Sequence, residues 1–154
     1  MLHLGQDAPD FEVPLHTGAT FRLLQERGQR NVVLYFYPKD YTFGCTKEAC
    51  AFTTRIDDIT DQNALVIGIS PDRLETHKKF AEQYHLAFAL GSDPDLAIAR
   101  LYDAVWLKGK ATQRVTYVID TKGRIRMAAH HELFISSHWR KVLELLQTLE
   151  KEDE

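Results

Sequence analysis

Asn31-Val32-Val33-Leu34-Tyr35-Phe36-Tyr37 runs directly into Pro38-Lys39-Asp40-Tyr41-Thr42-Phe43-Gly44-Cys45-Thr46-Lys47-Glu48-Ala49-Cys50. The first part is a continuous β-branched and aromatic run. A strand that is apolar on both sides is buried on both faces, as in the middle of an α/β sheet. Pro38 stops that pattern, because proline lacks an N–H and fixes φ. Thr42 is a predicted N-cap, its hydroxyl accepting from a backbone N–H two or three residues on. Cys45 then falls in the first turn of a helix. There the free N–H groups and the positive end of the helix dipole favour a thiolate over a thiol. Gly44 supplies backbone freedom beside it.

Outward from this unit, the periodicity predicts a helix from about Gly44 to Thr60, with Phe52, Ile56 and Ile59 at helical spacing. Ala64 to Ser70 reads as a second buried strand. Pro71-Asp72 introduces an amphipathic helix over Leu74 to Tyr84, with Phe80 and Tyr84 inward and Lys78, Lys79 and Glu82 outward. After a further β-like segment, Ser92-Asp93-Pro94-Asp95 caps a short helix ending near Leu101 or Tyr102. Lys108-Gly109-Lys110 is a loop. Arg114–Ile119 and Arg124–Ala128 flank Asp120-Thr121-Lys122-Gly123 as an antiparallel hairpin. Ser136 or Ser137 caps a last helix whose inward stripe is Val142, Leu145, Leu146 and Leu149, and Glu150 to Glu154 reads as a solvated tail. Upstream, Phe11, Val13 and Leu15 alternate as in a strand, Pro9 and Pro14 confine it to an edge or a short hairpin, and Thr20 to Leu24 is the return. The order of elements predicts a mixed α/β sheet covered by helices on both faces, in a single domain over residues 1–154.

Composition narrows the function. A net charge of −3 gives no reason to expect nucleic acid or an anionic membrane as partner. The N-terminus lacks the basic and apolar regions of a secretory signal, and no run approaches the ~18 apolar residues of a membrane helix. The expectation is a cytoplasmic protein. Two cysteines are too few for a secreted disulfide framework, and in a reducing cytosol they point to catalysis or metal binding. Trp106 and Trp139 are expected in the core. His130-His131 receives no role.

The spacing Cys45-x-x-x-x-Cys50 admits several readings. A zinc site calls for closer cysteines and two further ligands, and His130-His131, adjacent on a strand, point to opposite faces. A thioredoxin-type dithiol calls for Cys-x-x-Cys. Two buried, inert cysteines on a core helix are a plain alternative. A nucleophile with a resolving partner is the remaining reading. In a regular helix, residues five apart differ by about 7.5 Å along the axis and about 140° around it, so their Cα atoms lie roughly 8–9 Å apart. A disulfide needs less than about 7 Å. Cys50 could therefore attack an oxidised Cys45 only after the first turn unwinds.

Pro38-x-x-x-Thr42-x-x-Cys45 resembles the active-site motif of the peroxiredoxins. The longer Tyr35-Phe36-Tyr37-Pro38-Lys39-Asp40 with Gly44-Cys45-Thr46-Lys47-Glu48-Ala49-Cys50 resembles the bacterioferritin-comigratory, or Q-type, branch. Ala8-Pro9-Asp10-Phe11, Ser70-Pro71-Asp72, His77-Lys78-Lys79-Phe80, Ser92-Asp93-Pro94-Asp95 and Arg114 to Asp120 resemble the same branch in the same order. The resemblance implies a thioredoxin fold with an N-terminal β-hairpin extension and thiol-dependent reduction of hydrogen peroxide and organic hydroperoxides, without metal, haem or flavin. It implies Cys45 as peroxidatic and Cys50 as resolving cysteine, with Thr42, Arg114 and Pro38 completing the set. Arg114 would hold a constant positive charge beside the sulfur and bind peroxide oxygen. Thr42 would accept from the peroxide and donate onward. Pro38 would keep water from the sulfur, and Glu48 would hold Arg114 or the loop. The implied partners are thioredoxin or a similar dithiol, with the chain a monomer or weak dimer. A one-cysteine peroxidase resolved by an external thiol, and a redox sensor or holdase, are the rival readings. Phe43 stands where the branch usually has proline. With Tyr41 it makes the pocket mouth more aromatic, an expectation of preference for bulky hydroperoxides.

Overall fold

The computed structural model describes residues 1–106, 108–130 and 135–152, without the side chains of Glu48 and residues 135–139. An N-terminal hairpin pairs β1 (Glu12–Pro14) with β2 (Thr20–Arg22), and a 3-10 turn follows at Leu23–Glu26. Then come β3 (Asn31–Phe36), α1 (Phe43–Thr54), α2 (Ile56–Thr60), β4 (Ala64–Ser70), α3 (Leu74–Gln83), β5 (Ala89–Ser92) and α4 (Ala97–Leu101). The chain closes with β6 (Val105–Trp106), β7 (Ala111–Thr112), β8 (Val115–Ile119), β9 (Ile125–His130) and α5 (Ile135–Glu152).

Five strands form the mixed α/β sheet of a thioredoxin fold, in the order β5-β4-β3-β8-β9. β3, β4 and β5 run parallel, and β8 and β9 continue the sheet antiparallel. Every residue of β3 is buried, as its unbroken apolar run requires. Its alternation divides the interior. Val32, Leu34 and Phe36 face one core with Ile67, Ile69, Val115 and Tyr117, while Val33, Tyr35 and Tyr37 face the other with Val66 and Val118. Phe52 of α1, Ile59 of α2, Phe80 of α3 and Val142, Leu146 and Leu149 of α5 cover the second face. The first is covered mainly by the N-terminal hairpin, through Phe11, Val13 and Phe21, and only at one side by the short α4. Gly68 is dictated by this packing. A Cβ there would lie 2.7 Å from the Tyr35 ring, which is itself stacked at 5.3 Å on both Tyr37 and Phe52.

Several expectations need correction. The predicted helix over 44–60 is two helices broken at Arg55 (φ −107°, ψ 12°), after Thr53-Thr54, two residues of modest helix propensity. The loop at Lys108-Gly109-Lys110 is the turn of a small β6–β7 hairpin. Trp106 is 48 % exposed rather than in the core. The charged C-terminal stretch continues α5 to Glu152, whose carboxylate pairs with both terminal nitrogens of Arg126 at 2.9 Å. The capping serines' side chains, the Trp139 side chain, His131 and residues 153–154 lie outside the described residues. Among the described residues, no helix is long and apolar enough to cross a membrane.

Candidate active site

β3 delivers the chain to the site. Tyr37 extends its pairing with an N–H to the Ile69 carbonyl at 3.1 Å, and half-buried Pro38 then turns the chain out of the sheet. Asp40 is buried, Tyr41 takes a left-handed backbone (φ 67°), and Thr42 occupies the N-cap position of α1 with extended geometry (φ −76°, ψ 150°). The predicted capping bond is not made. The Thr42 hydroxyl instead turns back across the loop and donates to the Lys39 carbonyl at 2.9 Å. Its oxygen lone pairs stay available to accept.

Cys45 is the third residue of α1 and is 1 % exposed, packed in the core that contains Tyr37, Ala49 and Phe52. The first intrahelical bond here runs from the Thr46 N–H to the Thr42 carbonyl at 2.9 Å. The amides of Phe43, Gly44 and Cys45 are therefore not consumed by the helix ladder, and they sit where the dipole is positive. Such a position stabilises a thiolate and any negative oxygen that approaches it.

Arg114 precedes β8 by one residue rather than opening it. The β3–β8 register ends with Phe36 opposite Val115, so the backbone of Arg114 follows next to the end of β3 that leads into the cysteine loop. The antiparallel return thus brings a distant arginine to the end of the strand that feeds the cysteine loop. Cys50 is half-buried on the same helix as Cys45, and neither cysteine is in a disulfide. Burial pushes the Cys50 thiol above its usual value, which keeps it protonated while the helix is wound. With both cysteines inside α1, the helical separation of about 8–9 Å applies, and the two sulfurs cannot join without local unwinding. The Glu48 side chain, expected near Arg114 or the loop, lies outside the described residues.

Sequence reasoning missed the polar core beneath the loop. Asp40 and His77 are both fully buried, with Asp40 Oδ2 at 2.6 Å from His77 Nδ1. The Tyr37 hydroxyl donates to Asp40 Oδ1 at 2.5 Å, and the Asp40 N–H donates to Asp72 Oδ2 at 2.8 Å. Burial, with the neighbouring Tyr35 and Asp40 adding to it, pushes the Tyr37 phenol well up, so it remains a donor. The available signal was His77 itself, which lies on the Phe80 side of α3 rather than with Lys78 and Lys79.

Comparison with known proteins identifies the family. The model of the AhpC/TSA family matches residues 4–128. Peroxiredoxin Bcp of Bacillus subtilis (strain 168) is 39 % identical over 160 aligned residues, covering 96 % of this chain and 95 % of the relative. Among solved structures, peroxidoxin BcpB from Mycobacterium tuberculosis superposes with a TM-score of 0.89 at 34 % identity, covering 97 % of this chain and 99 % of that one. The bacterioferritin comigratory protein of Xanthomonas campestris, described for its alkyl peroxide reduction activity, gives a TM-score of 0.85 at 28 % identity over 97 % and 98 % of the two chains. With the match running through the hairpin, the cysteine loop and the β8–β9 return, the chain belongs to the AhpC/TSA family, in the branch that holds the Bcp and Q-type peroxiredoxins.

Proposed function

We propose that Cys45 carries the peroxidase chemistry of this protein and that Cys50 resolves it. The Cys45 thiolate attacks the terminal oxygen of a hydroperoxide, the O–O bond breaks, and the leaving oxygen takes a proton to depart as water or an alcohol. Cys45 is left as a sulfenic acid. Thr42, already donating to Lys39, accepts the peroxide O–H and so aligns the O–O bond with the sulfur. Arg114 and the first-turn amides meet the charge that grows on the oxygens. Pro38 limits water at the sulfur. After the first turn of α1 unwinds, the Cys50 sulfur displaces the hydroxyl of the sulfenic acid, giving a Cys45–Cys50 disulfide and one water. A dithiol then reduces the disulfide and is itself oxidised. We assign that role to thioredoxin, acting on a cytoplasmic monomer or weak dimer, with the described fold as one domain.

The observation that carries this reading is a buried cysteine in the first turn of α1, with a second thiol on the same helix. Stopped-flow consumption of hydrogen peroxide by pre-reduced protein, followed by intact mass, tests it. Wild type is expected to consume peroxide fast and lose two hydrogens. Cys45→Ser should be silent, and Cys50→Ser should stop at a trapped sulfenic acid. Comparable slow oxidation of all three proteins would refute an activated Cys45. Sustained turnover with thioredoxin separates a peroxidase from a single-use redox sensor.

A further inference from the structure

The loop that leads to Cys45 is tied down by a buried polar cluster that the proposed chemistry does not use. Asp40 gives its whole carboxylate to it, accepting from Tyr37 at Oδ1 and facing His77 Nδ1 at Oδ2. The other ring nitrogen, Nε2, lies 2.9 Å from the Gly91 carbonyl oxygen. Both partners of the ring are oxygens with lone pairs, so each of these two bonds holds a proton, whichever atom of the Asp40–His77 pair formally carries the first. Asp72 Oδ2 accepts from the Asp40 N–H at 2.8 Å and from the Ser70 hydroxyl at 2.7 Å. Asp40, Asp72 and His77 approach each other closely enough to suggest a cation site, but both ring nitrogens of His77 are already engaged, with Asp40 and with the Gly91 carbonyl. The cluster joins the loop to the ends of β4 and β5 and to α3.

The other side of the reactive segment is also fixed. Ala49 and Phe52 are each 1 % exposed, and Phe52 is stacked on Tyr35. Between these anchors the described side chains differ in exposure, with Thr42 and Thr46 half-buried and the Tyr41 ring against Phe80 at 5.1 Å. Tyr41 is 46 % and Phe43 85 % exposed, Lys47 is exposed, and Cys45 is the buried exception.

We propose that Asp40 and His77 are positioning residues, a clamp that marks the N-terminal limit of the unwinding segment. Unwinding is confined to residues 41–48, and Cys45 travels out towards Cys50 while the loop before it stays in place. The clamp holds Cys45 in its peroxide-ready position and opposes its release to form the disulfide. The second part rests on the two-cysteine cycle above. Loosening the clamp must then move the two steps in opposite directions, which a general loss of stability does not do.

The test uses full-length His77→Gln and Asp40→Asn, with Tyr117→Phe as a control. The control removes a buried hydroxyl bonded to the Tyr102 carbonyl, in the opposite core. The second-order oxidation of Cys45 by hydrogen peroxide and the first-order formation of the disulfide are measured separately, together with sulfinic acid yield at high peroxide. The clamp predicts at least a tenfold slower oxidation, a several-fold faster disulfide step and less sulfinic acid in both variants. Tyr117→Phe should show no such split. Should His77→Gln fail to fold, Asp72→Ala, which removes the acceptor of the Asp40 N–H and of the Ser70 hydroxyl but leaves the Asp40–His77 pair, is expected to give the same split at smaller amplitude. Parallel change in both steps, no change, or the same split in the control overturns the clamp. A wild-type protein that forms no Cys45–Cys50 disulfide overturns the two-cysteine cycle instead, and the oxidation rate of the variants against the control then decides the clamp.

Discussion

Thr42 by a hydrogen bond and Cys50 by its burial each carry one feature that separates the proposed chemical role from a structural one. Because the Thr42 hydroxyl donates to Lys39 and caps nothing, Thr42→Val should cost less than the ~1 kcal/mol of a lost N-cap. The same change removes the proposed acceptor for peroxide, so kcat/KM should fall by about two orders of magnitude, as for loss of a well-placed active-site hydrogen bond. Thr42→Ser should recover most of it. Thermal melts beside steady-state kinetics would expose an error: a large stability loss with modest kinetic loss would make Thr42 a cap after all. Cys50 is governed by burial, which raises its thiol above the ordinary value. Its thiolate fraction is therefore small at neutral pH and climbs about tenfold per pH unit below its titration point. Disulfide formation from pre-formed sulfenic acid is expected to accelerate steeply between pH 6 and 8 in rapid-quench experiments. A flat profile would show that unwinding, not deprotonation, sets the rate. At this scale the placement of Thr42 at the N-cap position and of Cys45 and Cys50 on α1 was legible because the motif is local. The Asp40–His77 pair was not, because its two members lie on separate elements that only the folded sheet brings together.

The same division holds for elements. Strands β3, β4 and β8 announce themselves by apolar runs that tertiary packing only confirms. The β6–β7 hairpin has two residues per strand, too short to carry any period, and the break at Arg55 sits inside an apolar spacing that continues across it. Helix α1 invites a sharper prediction. Phe43 is its first residue, 85 % exposed, with Lys47 6.0 Å from its ring centre. Proline suits the first helical position, since the N–H there has no partner in the helix. The preceding residue must then be extended, and Thr42 already is, at ψ 150°. Phe43→Pro should therefore stabilise the fold by about 0.4–1 kcal/mol, mainly by restricting the unfolded chain. It should also slow disulfide formation, because the first turn becomes harder to open. If the exposed ring recruits bulky substrates, the ratio of kcat/KM for cumene hydroperoxide to that for hydrogen peroxide should drop in the same variant. An unchanged ratio would remove Phe43 from substrate choice.

On the scale of the whole molecule, the mixed sheet could be read from the order of its elements, but the covering of its first face could not. Helices were expected on both sides. Instead the N-terminal hairpin folds across one side, through contacts between residues far apart in sequence, such as the Leu15–Gly91 bridge and the approach of Val13 to Gly91. His16, in the turn of that hairpin, couples it to β5. Its N–H donates to the Leu90 carbonyl at 3.0 Å, and its Nδ1 accepts the Leu90 N–H at 3.1 Å. Protonation at Nδ1 would destroy the second bond. Burial lowers the His16 pKa below 6.5, and the nearby His77 lowers it further, while the Leu90 backbone, Asp40 and Glu82 act in the opposite sense without reversing the shift. Between the lowered folded value and the ordinary value near 6.5, the unfolded chain holds a proton that the folded chain lacks. Stability from this site is therefore complete above pH 6.5 and declines as pH falls through the lowered value, then levels off. Urea unfolding between pH 5 and 7.5 should show this decline in wild type and a shallower one in His16→Gln, the other histidines being common to both. Equal slopes would mean that the hairpin turn is not held by a neutral His16. A steeper slope in the variant would reverse the sign of the argument, and would mean that the folded state favours the protonated ring.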